Sequence, residues 1–191
     1  MSFLFGIFFG VLSCTRLKVL ILSSVIESVT FVLRAVPFFM QLLIVYFVLP
    51  DLFHFNFEPF PAAVISLGIC SSGYVAQIVR GGLNSIPVVQ WEAAFALGYT
   101  TLQSLFYVIL PQMVRNVLPA FNNELDSLLK STAIVSSIGM LELTRMGMNI
   151  VSREMQPVPI YLTVALFYVC LSVILNFATR SIEKKISYVK Y

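Results

Sequence analysis

Charge is scarce in this chain. Of its 191 residues only 11% are Asp, Glu, Lys or Arg, and there is one histidine. A soluble globular domain carries about a quarter of its residues charged, so that class is excluded. Cysteine is scarce too. Cys14, Cys70 and Cys170 lie far apart in apolar stretches, which gives neither a disulfide framework nor a zinc-ligand spacing. The sequence has no Gly-x4-Gly-Lys-Ser/Thr phosphate loop, no His-Glu-x-x-His and no Gly-x-Ser-x-Gly. No catalytic constellation replaces them, and no bound cofactor is expected on this chain. No basic residue precedes the apolar start from Met1 to Ser13, which argues against a signal peptide.

What is abundant is hydrophobic. Apolar residues make up 59% of the chain, aromatics 14%, and the mean hydropathy is +0.92. These values define a single-domain, multi-pass membrane protein of the all-α class, its surface facing membrane lipid. A helix needs about 20 apolar residues to cross a bilayer. On that measure spans are expected at 37–49, 61–80, 111–130 and 157–178, with a short or truncated one at 1–13. Val19 to Leu33 is apolar, but Arg16, Lys18 and Arg34 bracket it and Glu27 lies inside. Basic residues at both ends disfavour a crossing, so this stretch reads as an interfacial helix.

Between the third and fourth spans, a loop at 81–110 is rich in polar and turn-forming residues. Gly81-Gly82 and Asn84-Ser85 are breakers that predict an end to the preceding helix near Arg80. Pro87 suits a turn or a first helical turn. Trp91 to Leu97 then forms a short helix, with Trp91, Ala94 and Phe95 on one face. Gly98 is placed to cap its C-terminus.

The fourth span is unusual for its polar residues. It holds Arg115, Asn116, Pro119, Asn122, Asn123, Glu124, Asp126 and Lys130. Acids inside a membrane segment are costly and mark a polar pathway. Asn123, Asp126, Ser127 and Lys130 share one face, and Glu124 shares a neighbouring face with Leu128. Asp126 and Lys130 are also spaced to pair within the helix. Two acids only two residues apart point about 200° apart on a regular helix, so one ligand meets both only if the helix is irregular or a second subunit contributes. In the third span Gly68, Ser72 and Ala76 make a small-residue stripe suited to close helix packing. Gln41 reads as a hydrogen-bonding residue between helices.

Several of these stretches, in this order, resemble the permeases of ABC importers. Glu92-Ala93-Ala94, Gly98 and Val108-Ile109-Leu110-Pro111 match the order and spacing of that family's EAA loop. Gln90 and Arg80-Gly81-Gly82 are similar to the polar amino-acid branch. So are Asn123-Glu124-Leu125, Leu128-Leu129-Lys130-Ser131-Thr132 and Glu142-Leu143-Thr144-Arg145. Phe31 to Pro37 resembles the family's Phe-Arg-Gly-Thr-Pro, with Ala35-Val36 in place of Gly-Thr. Gly73-Tyr74-Val75-Ala76-Gln77 carries Gln77 where the family has an acid.

The resemblance implies a type I importer permease fold of about five transmembrane helices, with a first span longer than the one present here. It implies that Gln90, Glu92, Ala93, Ala94 and Gly98 form the coupling helix contact with a cytoplasmic ATPase dimer, which binds ATP and Mg. It also implies a second permease subunit, identical or sister, and an extracytoplasmic solute-binding protein. The substrate would be a polar amino acid of the arginine or glutamine type, passing Asn123, Glu124, Asp126 and Lys130. A bacterial inner-membrane location follows, and no nucleic-acid partner is expected. Nine of the twelve Lys and Arg residues fall on the expected cytoplasmic side, which sets the N-terminus out and the C-terminus in. Two other readings of the residues stand beside this one. A self-contained channel or ion-coupled carrier would use Glu124 and Asp126, and a non-transporting scaffold would leave the buried acids without a purpose.

Overall fold

Four prolines stand at helix starts. Pro37 and Pro87 immediately precede α3 (Phe38–Leu43) and α6 (Val88–Ala96). Pro59 and Pro157 open α5 (Pro59–Ser85) and α10 (Pro157–Ser187). At these positions the missing N–H breaks no helical hydrogen bond. The chain, seen here as a computed structural model, is described over residues 2–13 and 20–187. Those residues are nearly all helical and contain no strand. Cys14, Arg16, Lys18 and Lys190 lie outside them.

Two further prolines shape helices from within. Pro50 and Pro111 each follow a wide π turn by two residues, Ile44–Val48 and Leu105–Ile109. Proline has no N–H for the carbonyl four residues back, here Tyr46 and Tyr107, and its ring crowds that carbonyl. A wider turn accommodates both effects. The first π turn joins α3 to α4 (Leu49–Phe53), and the second joins α7 (Thr101–Ser104) to α8 (Leu110–Ser131). The start of α7 is a capping box, in which Thr100 and Gln103 satisfy each other's backbone N–H.

Glycine sets how closely the helices approach. A Cβ at Gly6 of α1 (Ser2–Leu12) would lie 2.5 Å from Val75, and one at Gly10 would lie 2.6 Å from Val79. The pairing 6 with 75 and 10 with 79 makes α1 and α5 parallel. Ser72 and Ala76 carbonyls face the same two glycines, so the expected stripe is used there. Gly68 is not used, because no atom comes within 4 Å of its Cβ position. Gly82 packs on Val117 and Met113, and Asn116 donates to Ser85. These contacts run α8 antiparallel to α5.

The expected break at Gly81-Gly82 is therefore corrected: α5 continues to Ser85. The second glycine is a packing residue that admits Val117, and a glycine can remain helical when tertiary contact outweighs its propensity.

α2 (Leu20–Ala35) meets α3 at a bend of 95°. Gln41 holds that bend. Its Nε2 donates to the carbonyls of Leu33 at 2.6 Å and Val36 at 2.8 Å, two acceptors that the helix end leaves free. Arg80 of α5 pairs with Glu27 at the middle of α2 at 2.5 Å, tying that helix to α5.

All five expected spans are helical, with different qualifications. Among the described residues, Pro59–Ser85 and Pro157–Lys185 are long and apolar enough to cross a bilayer unaided. Ser23–Ala35 with Phe38–Phe53 qualifies only as a bent pair. α1 has 11 residues, and α8 is interrupted by Arg115, Glu124, Asp126 and Lys130. The segment after α8 begins with a tight 3-10 turn, Thr132–Ile138, before α9 (Leu143–Glu154). Glu142 caps α9 by accepting from the backbone N–H of Thr144 and Arg145, and Tyr168 of α10 donates to the same carboxylate at 3.1 Å.

A candidate coupling surface and polar pathway

α6 is a short helix fixed at both ends and along one side. Gly98, with φ +83°, takes the left-handed conformation that ends it. The Gly98 N–H bonds Phe95 O at 2.9 Å, and the Tyr99 N–H bonds Ala94 O at 3.1 Å. That pair of reversed bonds is the Schellman arrangement, for which glycine is suited. Trp91 and Ala94 are buried. Trp91 packs with Ile86, Leu105, Ile109 and Met113, so α6 is seated on the second π turn and the start of α8.

The other side of α6 is open. Glu92, Ala93, Phe95 and Gly98 are exposed, and Val89 and Leu97 are 65% and 78% exposed. Of the residues expected to couple, Glu92, Ala93 and Gly98 therefore lie at the surface. Ala94 faces inward, and Gln90 is half-buried and accepts a hydrogen bond from Gln112 at 3.1 Å. Phe95 lies on the expected face, its ring 6.4 Å from the Trp91 ring, but it stays partly exposed while Trp91 and Ala94 are buried.

The second region is in the middle of α8. Glu124 lines a cavity of about 210 Å³ with Cys70, Ser71 and Tyr74 of α5 and Ser127 and Ser131 of its own helix. Leu128 shares the cavity, as the one-turn spacing requires. Hydroxyls, one thiol and one carboxylate, beside Phe38, Leu67 and Leu128, make this a small space of mixed lining able to hold a cationic or hydrogen-bonding group. Asp126 points elsewhere. It pairs with Lys130 at 2.5 Å, one turn on, and Ser172 of α10 approaches its carboxylate. Lys130 borders a separate groove with Tyr168, Ser172, Asn176 and Arg180. Asn123 is exposed. The four pathway residues are therefore not brought together: Glu124 serves one face of α8, and the Asp126–Lys130 pair another.

Some polar contacts were not anticipated. Asn122 donates to Asn176 at 2.9 Å and accepts from Thr179 at 2.5 Å, joining α8 to the apolar α10. An asparagine and a threonine one turn apart in the last span were the available signal, since buried polar groups in lipid need partners. The Glu27–Arg80 pair was also legible as the lone acid of its segment opposite a basic residue at the end of the third span.

A bundle with a capped surface helix at one end and a polar helix through its middle defines an integral membrane permease. The chain belongs to the family described as binding-protein-dependent transport system inner membrane component, whose model matches residues 2–188. It is 36% identical over 155 residues to the glutamine transport system permease protein GlnP of Escherichia coli (strain K12), covering 81% of this chain and 71% of that one. It is 38% identical over 157 residues to the arginine transport system permease protein ArtQ of Bacillus subtilis (strain 168), covering 82% and 72%. Among solved structures, an amino acid ABC transporter with histidines superposes with a TM-score of 0.87 at 34% identity, over 96% of this chain and 85% of that chain. The inward facing MetNI methionine ABC transporter superposes with a TM-score of 0.80 at 23% identity, over 97% and 89%, a likeness of fold alone. The expected type I importer permease fold is met, and the chain is a transmembrane transport subunit of an ABC importer. Family membership sets aside the self-contained channel and the scaffold.

Proposed function

We propose that this chain moves a polar amino acid, of the arginine or glutamine type, inward across the bacterial inner membrane. α6 is the coupling helix, and its exposed face with Glu92 and Ala93 docks on a cytoplasmic ABC ATPase dimer. That dimer binds ATP and Mg and hydrolyses the nucleotide, and a second permease subunit, identical or sister, completes the pathway. An external solute-binding protein delivers the substrate. The N-terminus lies outside and the C-terminus inside. The outward N-terminus rests on the Lys and Arg distribution; that α1 and α5 are parallel and α8 antiparallel to α5 fits alternate crossings with α2 at the interface, whichever terminus is outside.

The observation that carries this reading is the pairing of two features on one continuous helix. The start of α8 seats the coupling helix, and its middle presents Glu124 to the small cavity. A carboxylate there favours a ligand with positive charge, such as an α-ammonium or guanidinium group, which supports the amino-acid names carried by the relatives. The test is co-purification with candidate ATPases, then ATP hydrolysis and uptake of labelled glutamine and arginine in proteoliposomes with added binding protein. Stimulated hydrolysis with uptake supports the proposal. Uptake that continues with no ATPase present, or no uptake of either amino acid, overturns it.

A further inference from the structure

Gln112 stands at a junction. It lies in the first turn of α8, half-buried, three residues after the π turn Leu105–Ile109. Its amide nitrogen donates twice, to Gln90 Oε1 of α6 at 3.1 Å and to the Val108 carbonyl at 2.9 Å. An NH₂ group has two protons, so both are used. One goes to the coupling helix and the other to the π turn beneath it.

The remaining hold on α6 differs in kind. Trp91 and Ala94 are buried, Trp91 in one apolar cluster with Leu105, Ile109 and Met113, which gives cohesion without direction. A side chain held only by apolar contact can slide or rotate in its seat. A hydrogen bond has a preferred length and angle, and the Gln90–Gln112 bond supplies that directional element. It does so beside a π turn, a helix irregularity that often marks a place where a helix adjusts.

We propose that Gln112 is a positioning residue that fixes the orientation of the coupling helix on the helix carrying Glu124. Twelve residues of one helix, about 18 Å at 1.5 Å per residue, separate Gln112 from Glu124, with Pro119 inside that stretch. A displacement of α6 by its ATPase is then passed to α8 as a defined rotation or shift, rather than absorbed in an apolar seat. The inference rests on the assignment of α6 as coupling helix. It adds a residue outside the EAA loop and a specific bond that couples the two.

The test uses the assembled importer and three variants: Gln112→Leu, Gln90→Leu and the double variant. Leucine keeps the apolar contacts of the site while removing the bond. Uptake of labelled glutamine and arginine and ATP hydrolysis are measured on the same proteoliposomes. Amide hydrogen exchange over residues 88–96 is measured on the same complexes. We expect substrate moved per ATP to fall about threefold to tenfold in each single variant, the factor one neutral hydrogen bond carries. The double variant falls no further, because both changes remove one interaction. ATPase retention stays at the wild-type level in Gln112→Leu, and exchange over 88–96 rises about tenfold as the helix loosens locally.

Losses that add in the double variant, or an ATPase lost in proportion to uptake, would assign Gln112 a merely structural role. An unchanged transport-to-hydrolysis ratio would overturn the proposal outright. If the wild-type complex takes up neither amino acid, the substrate assignment fails, and the exchange comparison still decides the link. Unchanged exchange over 88–96 in Gln112→Leu then rejects it, and a rise that the double variant does not exceed sustains it.

Discussion

Gly82 of α5 lies against Val117 of α8 so closely that a Cβ at position 82 would fall inside the Val117 methyl. Its neighbour Gly81 has nothing within 4 Å of the corresponding point. Two adjacent glycines thus have opposite tolerances. Gly82→Ala should destabilise the α5–α8 contact by about 1–3 kcal/mol, the range for overpacking. Gly81→Ala should be neutral or stabilise by about 0.5–1 kcal/mol, because alanine suits a helix better. Thermal unfolding of the purified subunit, followed by tryptophan fluorescence from Trp91, distinguishes them. Equal melting temperatures for the two variants would contradict the packing.

Gly98 makes a second contrast. Its φ of +83° costs a residue with a side chain about 1–2 kcal/mol, and a β-branched one more. Gly98→Val should therefore loosen the C-terminal turn of α6, whereas Gly98→Asn should be tolerated, because asparagine visits this conformation. Glu92→Lys reverses a charge on the exposed face and leaves the helix intact. We expect all three variants to insert in the membrane. Gly98→Val and Glu92→Lys should lose ATPase pull-down and uptake, and Gly98→Asn should keep most of both. Wild-type pull-down and uptake in Gly98→Val and Glu92→Lys would remove the coupling role from α6.

What could be read in the sequence divides along the range of the interaction. Gly98, Pro87 and the Asp126–Lys130 spacing act within one turn, so local pattern was enough to place them. The 81–82 break was misread because a Gly-Gly pair has two meanings, a turn or a close approach, and only the partner helix decides. Gly6 and Gly10, which bring α1 close to α5, could not be matched to Val75 and Val79 without the fold. Helical spacing matched Asp126 with Lys130 and Glu124 with Leu128, but Ser127, expected on the Asp126 face, lines the Glu124 cavity. The allocation of Glu124 to α5, and of Asp126 and Asn122 to α10, required the antiparallel order of three helices.

Orientation across the membrane has its own test. Native Cys14, Cys70 and Cys170 are first replaced. A single cysteine is then placed at Asp51 in α4 or at Lys185 near the end of α10, both exposed positions. With the N-terminus outside and the C-terminus inside, Asp51→Cys reacts with an impermeant thiol reagent in intact cells, and Lys185→Cys reacts only after lysis. The reverse pattern would invert the topology. Reaction of both in intact cells would mean that one crossing among α5, α8 and α10 is missing or extra, with α8 and its charged residues the first place to look.

The substrate prediction turns on Glu124. Its carboxylate shares a cavity with Ser71, Cys70, Tyr74, Ser127 and Ser131, and no Lys or Arg lines that space. Asp126 is paired with Lys130 on another face, so it is already neutralised and contributes little to a ligand in the cavity. Glu124→Gln keeps the volume and removes the charge. If the carboxylate holds a cationic group of the substrate, uptake should fall by about tenfold or more, because hydrogen bonds to charged groups carry about 1.5–3 kcal/mol. A contact to the α-ammonium, common to all amino acids, should reduce arginine and glutamine alike. A contact to the side-chain guanidinium should reduce arginine selectively and leave glutamine near wild type. Asp126→Asn should lower stability and leave the preference between the two amino acids unchanged, since its partners Lys130 and Ser172 lie away from the Glu124 cavity. Uptake of both amino acids at wild-type rate and selectivity in Glu124→Gln would make Glu124 a structural residue and withdraw the lean toward cationic substrates.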